Sequence, residues 1–285
     1  MLSYFQAIIL GLLQGISELF PISSLGHSVI ITGLLGWSID RHGNYFLAFL
    51  VATHFATALT LFCIYWKDWV RIISGIFRSA LKREISDADT DAKLGWLLVV
   101  GTVPAGMVGL LFQDQVKKLL ISPIFVALFL AANGALLYLA EILRKKAKGA
   151  GQVKDADRSI AADLSWWQSL KVGMMQIIAL LPGFSRTGST IAGGLMVGLS
   201  HEDALRFSFL LATPIIGAAA ALKLPGLLAS GNRAAIGTAL VGGLCAAIAA
   251  YLAVKFLTRY FKTRTLTPFA IYCALFGLLS LSLLR

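Results

Sequence analysis

Two short polar runs, each set between strongly apolar segments, carry the residues that could do chemistry. The second is Leu181-Pro182-Gly183-Phe184-Ser185-Arg186-Thr187-Gly188-Ser189-Thr190, and the first runs from Gln14 to Ser28. Helix N-termini leave backbone N–H groups unpaired and carry partial positive charge, so a helix start rich in Ser, Thr and Gly is a ready anion site. Arg186 adds a full charge on a planar fork suited to phosphate oxygens. In the first run Gln14 and Glu18 are four apart, hence stacked on one helical face, while Ser24 and His27 are three apart after the turn at Pro21. Facing one another across a hairpin, they offer a hydroxyl, an imidazole and a carboxylate. Those groups suit an activated nucleophile with a base, or a hydroxyl and carboxylate around a divalent ion. His54, beside Thr53 and Thr57 in a long apolar stretch, is expected to support this cluster from behind. Asn133 is expected to bond a neighbouring helix, and Glu141 to reach the cytoplasmic interface.

These residues need a scaffold that holds polar groups inside a membrane. Of the 285 residues, 58% are hydrophobic and only 14% charged, with a mean hydropathy of +0.79, far from the balance of a soluble domain. The apolar runs extend for about twenty residues, the length of a helix crossing hydrocarbon, rather than the short alternating segments of a membrane barrel. The expected class is therefore an all-α polytopic membrane protein. The net charge of +11 sits in short loops beside apolar runs, where it marks the cytoplasmic face rather than a nucleic-acid partner. Cys63, Cys245 and Cys273 lack metal-ligand spacing and are expected as buried free thiols. The N-terminal stretch lacks a basic leading region and a small-residue cleavage site, so it is expected to be retained.

Leu2 to Phe20 and Val29 to Leu35 flank the first polar run, and neither is comfortably long enough to span and return. A helix, a break and a second helix entering and leaving on one side fits better, since irregular backbone is tolerated where it lines a protein cavity. Full spans are expected over Tyr45–Trp66, Leu94–Phe112 and Pro123–Leu143, with a mixed-charge loop over residues 67–93 and a Lys/Gly/Ala-rich linker from Arg144. The second half repeats the order, with spans over Ala204–Leu222, Ala234–Leu257 and Pro268–Leu284. Shifting by 161 superposes Pro21 on Pro182, Ser24 on Ser185 and Ser28 on Ser189, which indicates an internal duplication. The expected domains are a first repeat, 1–143, containing a re-entrant hairpin over 2–36; a cytoplasmic linker, 144–165; and a second repeat, 166–285, containing a hairpin over 168–199. Three spans per half is an odd number, so the repeats are inverted. The basic loops then share the cytoplasmic side, and both termini lie outside.

The run Gln14-Gly-Ile-Ser-Glu18-Leu-Phe-Pro21-Ile-Ser-Ser24-Leu-Gly26-His27, with Pro182-Gly-Phe-Ser185-Arg186-Thr-Gly188-Ser-Thr190, resembles the bacterial undecaprenyl-diphosphate phosphatase family of the bacitracin-resistance type. The likeness covers essentially the whole chain, including Phe207-Ser-Phe-Leu-Leu and Pro268-Phe-Ala-Ile-Tyr272. It implies an enzyme dependent on a divalent cation, Mg2+ or Ca2+, that removes the terminal phosphate of undecaprenyl diphosphate in cell-wall synthesis. It also implies the bacterial plasma membrane and a site open to the outer face. Carried over, Glu18 matches an acid of the family's motif, Ser24 its proposed nucleophile and His27 the adjacent acid/base residue. Ser185, Arg186 and Thr190 match its phosphate-binding run, with Gly183, Gly188 and Ser23 as further substrate contacts. Glu18 and Gln14 are the expected metal ligands, although many members have Glu where this chain has Gln14, and Leu25 replaces a common Thr. Attack by Ser24 and attack by metal-bound water both stay open. The partners implied are the prenyl diphosphate and membrane lipids, with a homodimer compatible and no nucleic acid. The rival reading is a transporter or flippase of a lipid phosphate or small anion, because broken helices in inverted repeats are also carrier architecture.

Overall fold

The computed structural model describes residues 2–37, 39, 44–86, 88–112, 115, 122–149, 160–229 and 233–284. Its elements, in chain order, are α1 (Tyr4–Leu19), α2 (Ser24–Leu34), α3 (Asn44–Ile64), α4 (Trp66–Lys82), α5 (Thr90–Leu111), α6 (Pro123–Gly149), α7 (Ile160–Asp163), α8 (Trp166–Ile178), α9 (Arg186–Met196), α10 (His201–Ala229), α11 (Arg233–Tyr260) and α12 (Thr267–Leu283). Among the described residues no strand is formed, and the one extended pairing is an isolated bridge between Pro182 and Phe184. Five stretches are long and apolar enough to cross a membrane: Tyr45–Ile64, Thr90–Leu111, Pro123–Lys146, His201–Leu222 and Ala235–Tyr260. The chain is thus an all-helical, multi-span membrane protein. The sixth expected span is the shorter apolar helix α12, of 17 residues.

Local sequence sets where the two broken hairpins begin and turn. Ser3 and Gln6 form a reciprocal capping box at the start of α1, and Ser165 and Gln168 form the same box at α8. Ser23 caps α2 by accepting from the Gly26 N–H, and Ser185 caps α9 by accepting from the Gly188 N–H. Each helix pair closes with a glycine at positive φ, Gly36 at 61° and Gly198 at 99°. All these pairs lie 162 positions apart, one more than the spacing read from the prolines. Ser24 and Arg186 therefore occupy matching places at the head of their helices.

The halves interlock. α1 packs along α11 and α8 along α5, while α3 meets α10 and α6 meets α12. Gly11 and Gly173, again 162 apart, are where these hairpin helices touch their supports. A Cβ on Gly11 would lie 2.3 Å from the Gly242 carbonyl oxygen, and one on Gly173 would lie 2.4 Å from that of Gly101. Backbone meets backbone there, the close approach that small residues allow between membrane helices.

Three expectations change. Most of residues 67–93 are helix rather than loop, because Trp69, Ile72, Gly75 and Ser79 recur at helical spacing and are buried along α4, and α5 begins at Thr90. The charges occupy its other sides, and Arg78 forms a two-pronged contact with Asp89, the N-cap of α5, at 2.7 and 2.8 Å. Glu141 is buried against protein rather than reaching outward, 2.5 Å from His201 Nε2 and accepting from the Leu266 N–H at 2.7 Å. Of the cysteines, all free, Cys273 is buried but Cys63 is exposed and Cys245 half-buried. The linker over 150–159 and all but Ile39 and Asn44 of the turn around 38–44 lie outside the described residues.

Candidate active site

The sequence breaks α1 from α2 at Pro21, whose ring cannot continue a helix, and the chain turns through Ser23 at φ 68°, ψ 97°. A non-glycine residue there costs on the order of 1–3 kcal/mol, and such strain gathers at functional sites. The turn swings Ser24 back onto α1, where its hydroxyl donates to Glu18 Oε2 at 2.6 Å. Glu18 is the hub of the site. Oε2 also accepts from Gln14 Nε2 at 3.1 Å and lies 3.2 Å from His54 Nε2, and Oε1 accepts from Arg186 Nη2 at 2.9 Å. Arg186 reaches it from the second break, so the carboxylate ties the two polar runs together.

Glu18, Ser24, His54 and Arg186 line a cavity of about 310 Å3 with Ser17, Ser23, Ser185, Pro182 and Phe184, and with apolar walls from α3 and α10 that include Leu47, Val51, Ile215 and Ile216; Gln14 lies behind Glu18, outside the lining. Arg186 Nη1 is buried without a hydrogen-bond partner, an orphan donor on a guanidinium that faces the cavity. Such a group is costly unless a ligand satisfies it. A hydroxyl, its carboxylate acceptor and a spare guanidinium N–H thus converge on one space, which is what transfer of a phosphoryl group requires.

The expected residues divide into three sets. Gln14, Glu18, Ser23, Ser24, Ser185 and Arg186 come together. His54 also does, and more closely than expected, since its Nδ1 is anchored 2.7 Å from the Leu50 carbonyl and its Nε2 faces Glu18 directly. His27 does not join them. Its Nδ1 lies 2.7 Å from the Ser23 carbonyl and its Nε2 2.8 Å from the Tyr272 hydroxyl, with the ring stacked on Phe276. The imidazole beside the carboxylate is therefore that of His54.

Thr190 is also turned away, bonded to the Arg186 and Thr187 carbonyls and to Ser208 Oγ, within helical packing of α9 on α10. Gly188 serves through its N–H to Ser185 Oγ. Gly183 has φ 120°, and a Cβ on it would lie 2.4 Å from the Val126 carbonyl oxygen. Gly183→Ala is expected to lower stability by roughly 2 kcal/mol or more, read as a fall in the thermal midpoint of the purified protein. An unchanged midpoint would mean that the turn relaxes freely.

Two groups escaped the sequence reading as parts of the site. Asn133, fully buried on α6, donates to the Pro21 carbonyl at 3.0 Å and accepts from the Ser185 N–H at 3.1 Å. Thr187 Oγ1 donates to the Glu18 carbonyl at 2.8 Å. The only signal for Asn133 was an amide alone in an apolar run.

The donor set bears on the cation that the resemblance implies. Glu18 is the one carboxylate among the described residues that line the cavity, and Gln14 Oε1, on the amide that bonds it, is buried without a partner. Among the described residues no group of three or more His, Cys, Asp or Glu could hold a metal alone. A carboxylate, an orphan amide oxygen and a hydroxyl are hard donors that fit Mg2+ or Ca2+, provided phosphate oxygens complete the shell.

Comparison with known proteins shows the family. The curated undecaprenyl-diphosphatase of Mycolicibacterium paratuberculosis is 46% identical over 97% of this chain and 95% of its own length. That of Acidiphilium cryptum is 43% identical over 98% and 97%, and undecaprenyl-diphosphatase 2 of Frankia alni 40% identical over 98% and 97%. The family model described as bacitracin resistance protein BacA matches residues 7–279. With both polar runs and all five long spans inside that match, the chain belongs to the bacitracin resistance protein BacA family.

Proposed function

We propose that the chain is a membrane phosphatase of the bacterial plasma membrane that converts undecaprenyl diphosphate to undecaprenyl phosphate and inorganic phosphate, recycling the lipid carrier of cell-wall synthesis. The observation that carries the assignment of its site is the Ser24 hydroxyl 2.6 Å from Glu18, with Arg186 on the opposite carboxylate oxygen and one guanidinium nitrogen unpaired.

In this reading the terminal phosphate enters the cavity against Arg186 Nη1 and the positive end of α9. Ser24 Oγ attacks the phosphorus as its proton passes to Glu18 Oε2, and the bond to the bridging oxygen breaks with its electron pair leaving on the lipid monophosphate. Water then displaces Ser24 from phosphorus, the serine oxygen recovering the proton from Glu18. Gln14 and His54 hold Glu18 in place. His27 fixes the Ser23 carbonyl next to the reacting hydroxyl. Glu18 and the Gln14 amide oxygen would hold a divalent cation, which would supply charge neutralisation on the diphosphate.

The matched caps and the mirrored contacts of Gly11 and Gly173 support an inverted repeat of two re-entrant hairpins, each with three spans. The basic segments 67–93, 144–158 and 255–264 then share the cytoplasmic side, the site opens to the outer face, and both termini lie outside.

Purified protein given a prenyl diphosphate is expected to release phosphate, and chelation with EDTA to cut the rate at least tenfold, with recovery on adding Mg2+ or Ca2+. Absence of release would favour a carrier. Release unaffected by EDTA would remove the cation from the scheme while leaving the phosphatase.

A further inference from the structure

We infer that Asn133 is a positioning residue for the reaction, setting the distance between the break that carries Ser24 and the break that carries Arg186. The inference rests on the site reading above and adds a member from an element, α6, that lends no side chain to the cavity lining.

α6 touches both breaks along one line. A Cβ on Gly183 would meet the Val126 carbonyl oxygen and the Leu130 N, and one on Gly188 would meet Leu137 Cδ2 at 3.2 Å and the Pro21 carbonyl oxygen at 3.2 Å. Residues 126, 130, 133 and 137 recur at spacings of four, three and four, a single helical face. Asn133 is the polar member of that face, among buried Val126, Leu130 and Leu137.

Its amide is matched to the two breaks at once. Two residues past the end of α1, the Pro21 carbonyl has no helical partner, and Asn133 Nδ2 donates to it at 3.0 Å. Ahead of α9, the N–H of the capping residue Ser185 has no intrahelical acceptor, and Asn133 Oδ1 takes it at 3.1 Å. The same Nδ2 is 3.3 Å from Cys273 Sγ. A side chain of this length with a donor and an acceptor on one rigid plane is an amide. Burying it is unfavourable unless both ends are bonded, and here both ends are bonded to the segments that bear the reacting groups. Thr187, through the Glu18 carbonyl, is a second tie between the same two segments.

The test is a kinetic comparison of full-length wild type, Asn133→Ala, Asn133→Asp, Thr187→Val and the Asn133→Ala/Thr187→Val pair, using phosphate release from a prenyl diphosphate. Asn133→Ala should lower kcat per folded protein by about 10- to 100-fold, the scale of a misplacement near 1 Å, with KM within threefold and a lower thermal midpoint from the two buried groups left unpaired. Asn133→Asp, which keeps the acceptor for Ser185 and loses the donor to Pro21, should fall between it and wild type. The pair should lose more than the product of the single effects, since each tie partly covers for the other. The inference is overturned if kcat per folded protein is unchanged in Asn133→Ala, if kcat falls only in step with the thermal midpoint, or if the pair is simply multiplicative. Full turnover in Arg186→Ala would instead sink the site reading itself, whatever Asn133 does.

Discussion

Arg186→Ala is expected to reduce turnover by roughly 10³-fold, the lower end of what an arginine contributes to phosphoryl transfer, with the protein still inserted and folded. The guanidinium has two jobs that no neighbour can take over. Nη2 neutralises Glu18 at 2.9 Å, and Nη1 is the unpaired donor left for phosphate. Alanine removes both, leaving His54, 3.2 Å away, as the cation-forming group among the described residues beside the carboxylate. Arg186→Lys should recover only part of the loss, because a point charge cannot bridge carboxylate and phosphate as a planar fork does. Steady-state phosphate release with the purified variants measures this, and retention of most of the activity by the alanine variant would remove Arg186 from the mechanism.

Glu18→Gln should be comparably severe, also about 10³-fold in kcat, for a different reason. The carboxylate takes hydrogen bonds from Ser24, Gln14 and Arg186 and faces His54, so every neighbour is arranged around an acceptor. A carboxamide keeps the shape but turns an N–H2 toward at least one of those donors, and it cannot take the proton of Ser24. It also leaves Arg186, only 16% exposed, without its counter-charge. Removing one partner of a buried pair costs about 3–5 kcal/mol, so a lower thermal midpoint should accompany the kinetic loss. The stability effect and the chemistry separate in the double variant with Arg186→Ala, whose midpoint should rise back toward wild type while activity stays low. A Glu18→Gln enzyme within tenfold of wild type would exclude proton transfer to this carboxylate.

The apolar spans and the helix breaks were legible because both rest on local physics, a sustained run of hydrophobic residues and a proline followed by a capping serine. The cluster at Glu18 was legible in part. Gln14 and Glu18 stack as their spacing of four requires, and Ser24 meets them. His27 lies apart from the cluster because three residues turn a helix by about 300°, leaving it some 60° round from Ser24, enough to direct it to Tyr272 on α12. His54 could not be placed from sequence, since its approach to Glu18 depends on how α3 packs against the hairpin. The matched caps lie one position further apart than the matched prolines, because prolines mark where a helix stops, whereas caps mark where the next begins. Pro21 stands two residues before its cap and Pro182 three, the extra residue being taken by the turn at Gly183, with φ 120°. Residues 67–93 were misread by counting charges without their periodicity.

The backbone contact between Gly11 and Gly242 also fixes an order of events at the ribosome. The first hairpin emerges early, yet the helix that covers it is made more than two hundred residues later. Until then α1 must wait in the lipid with the face that carries Gly11 uncovered, even after Arg186 has been made. The reacting half of the site is thus synthesised first and covered last, and a nascent chain stalled before α11 would hold both polar runs in an unfinished bundle.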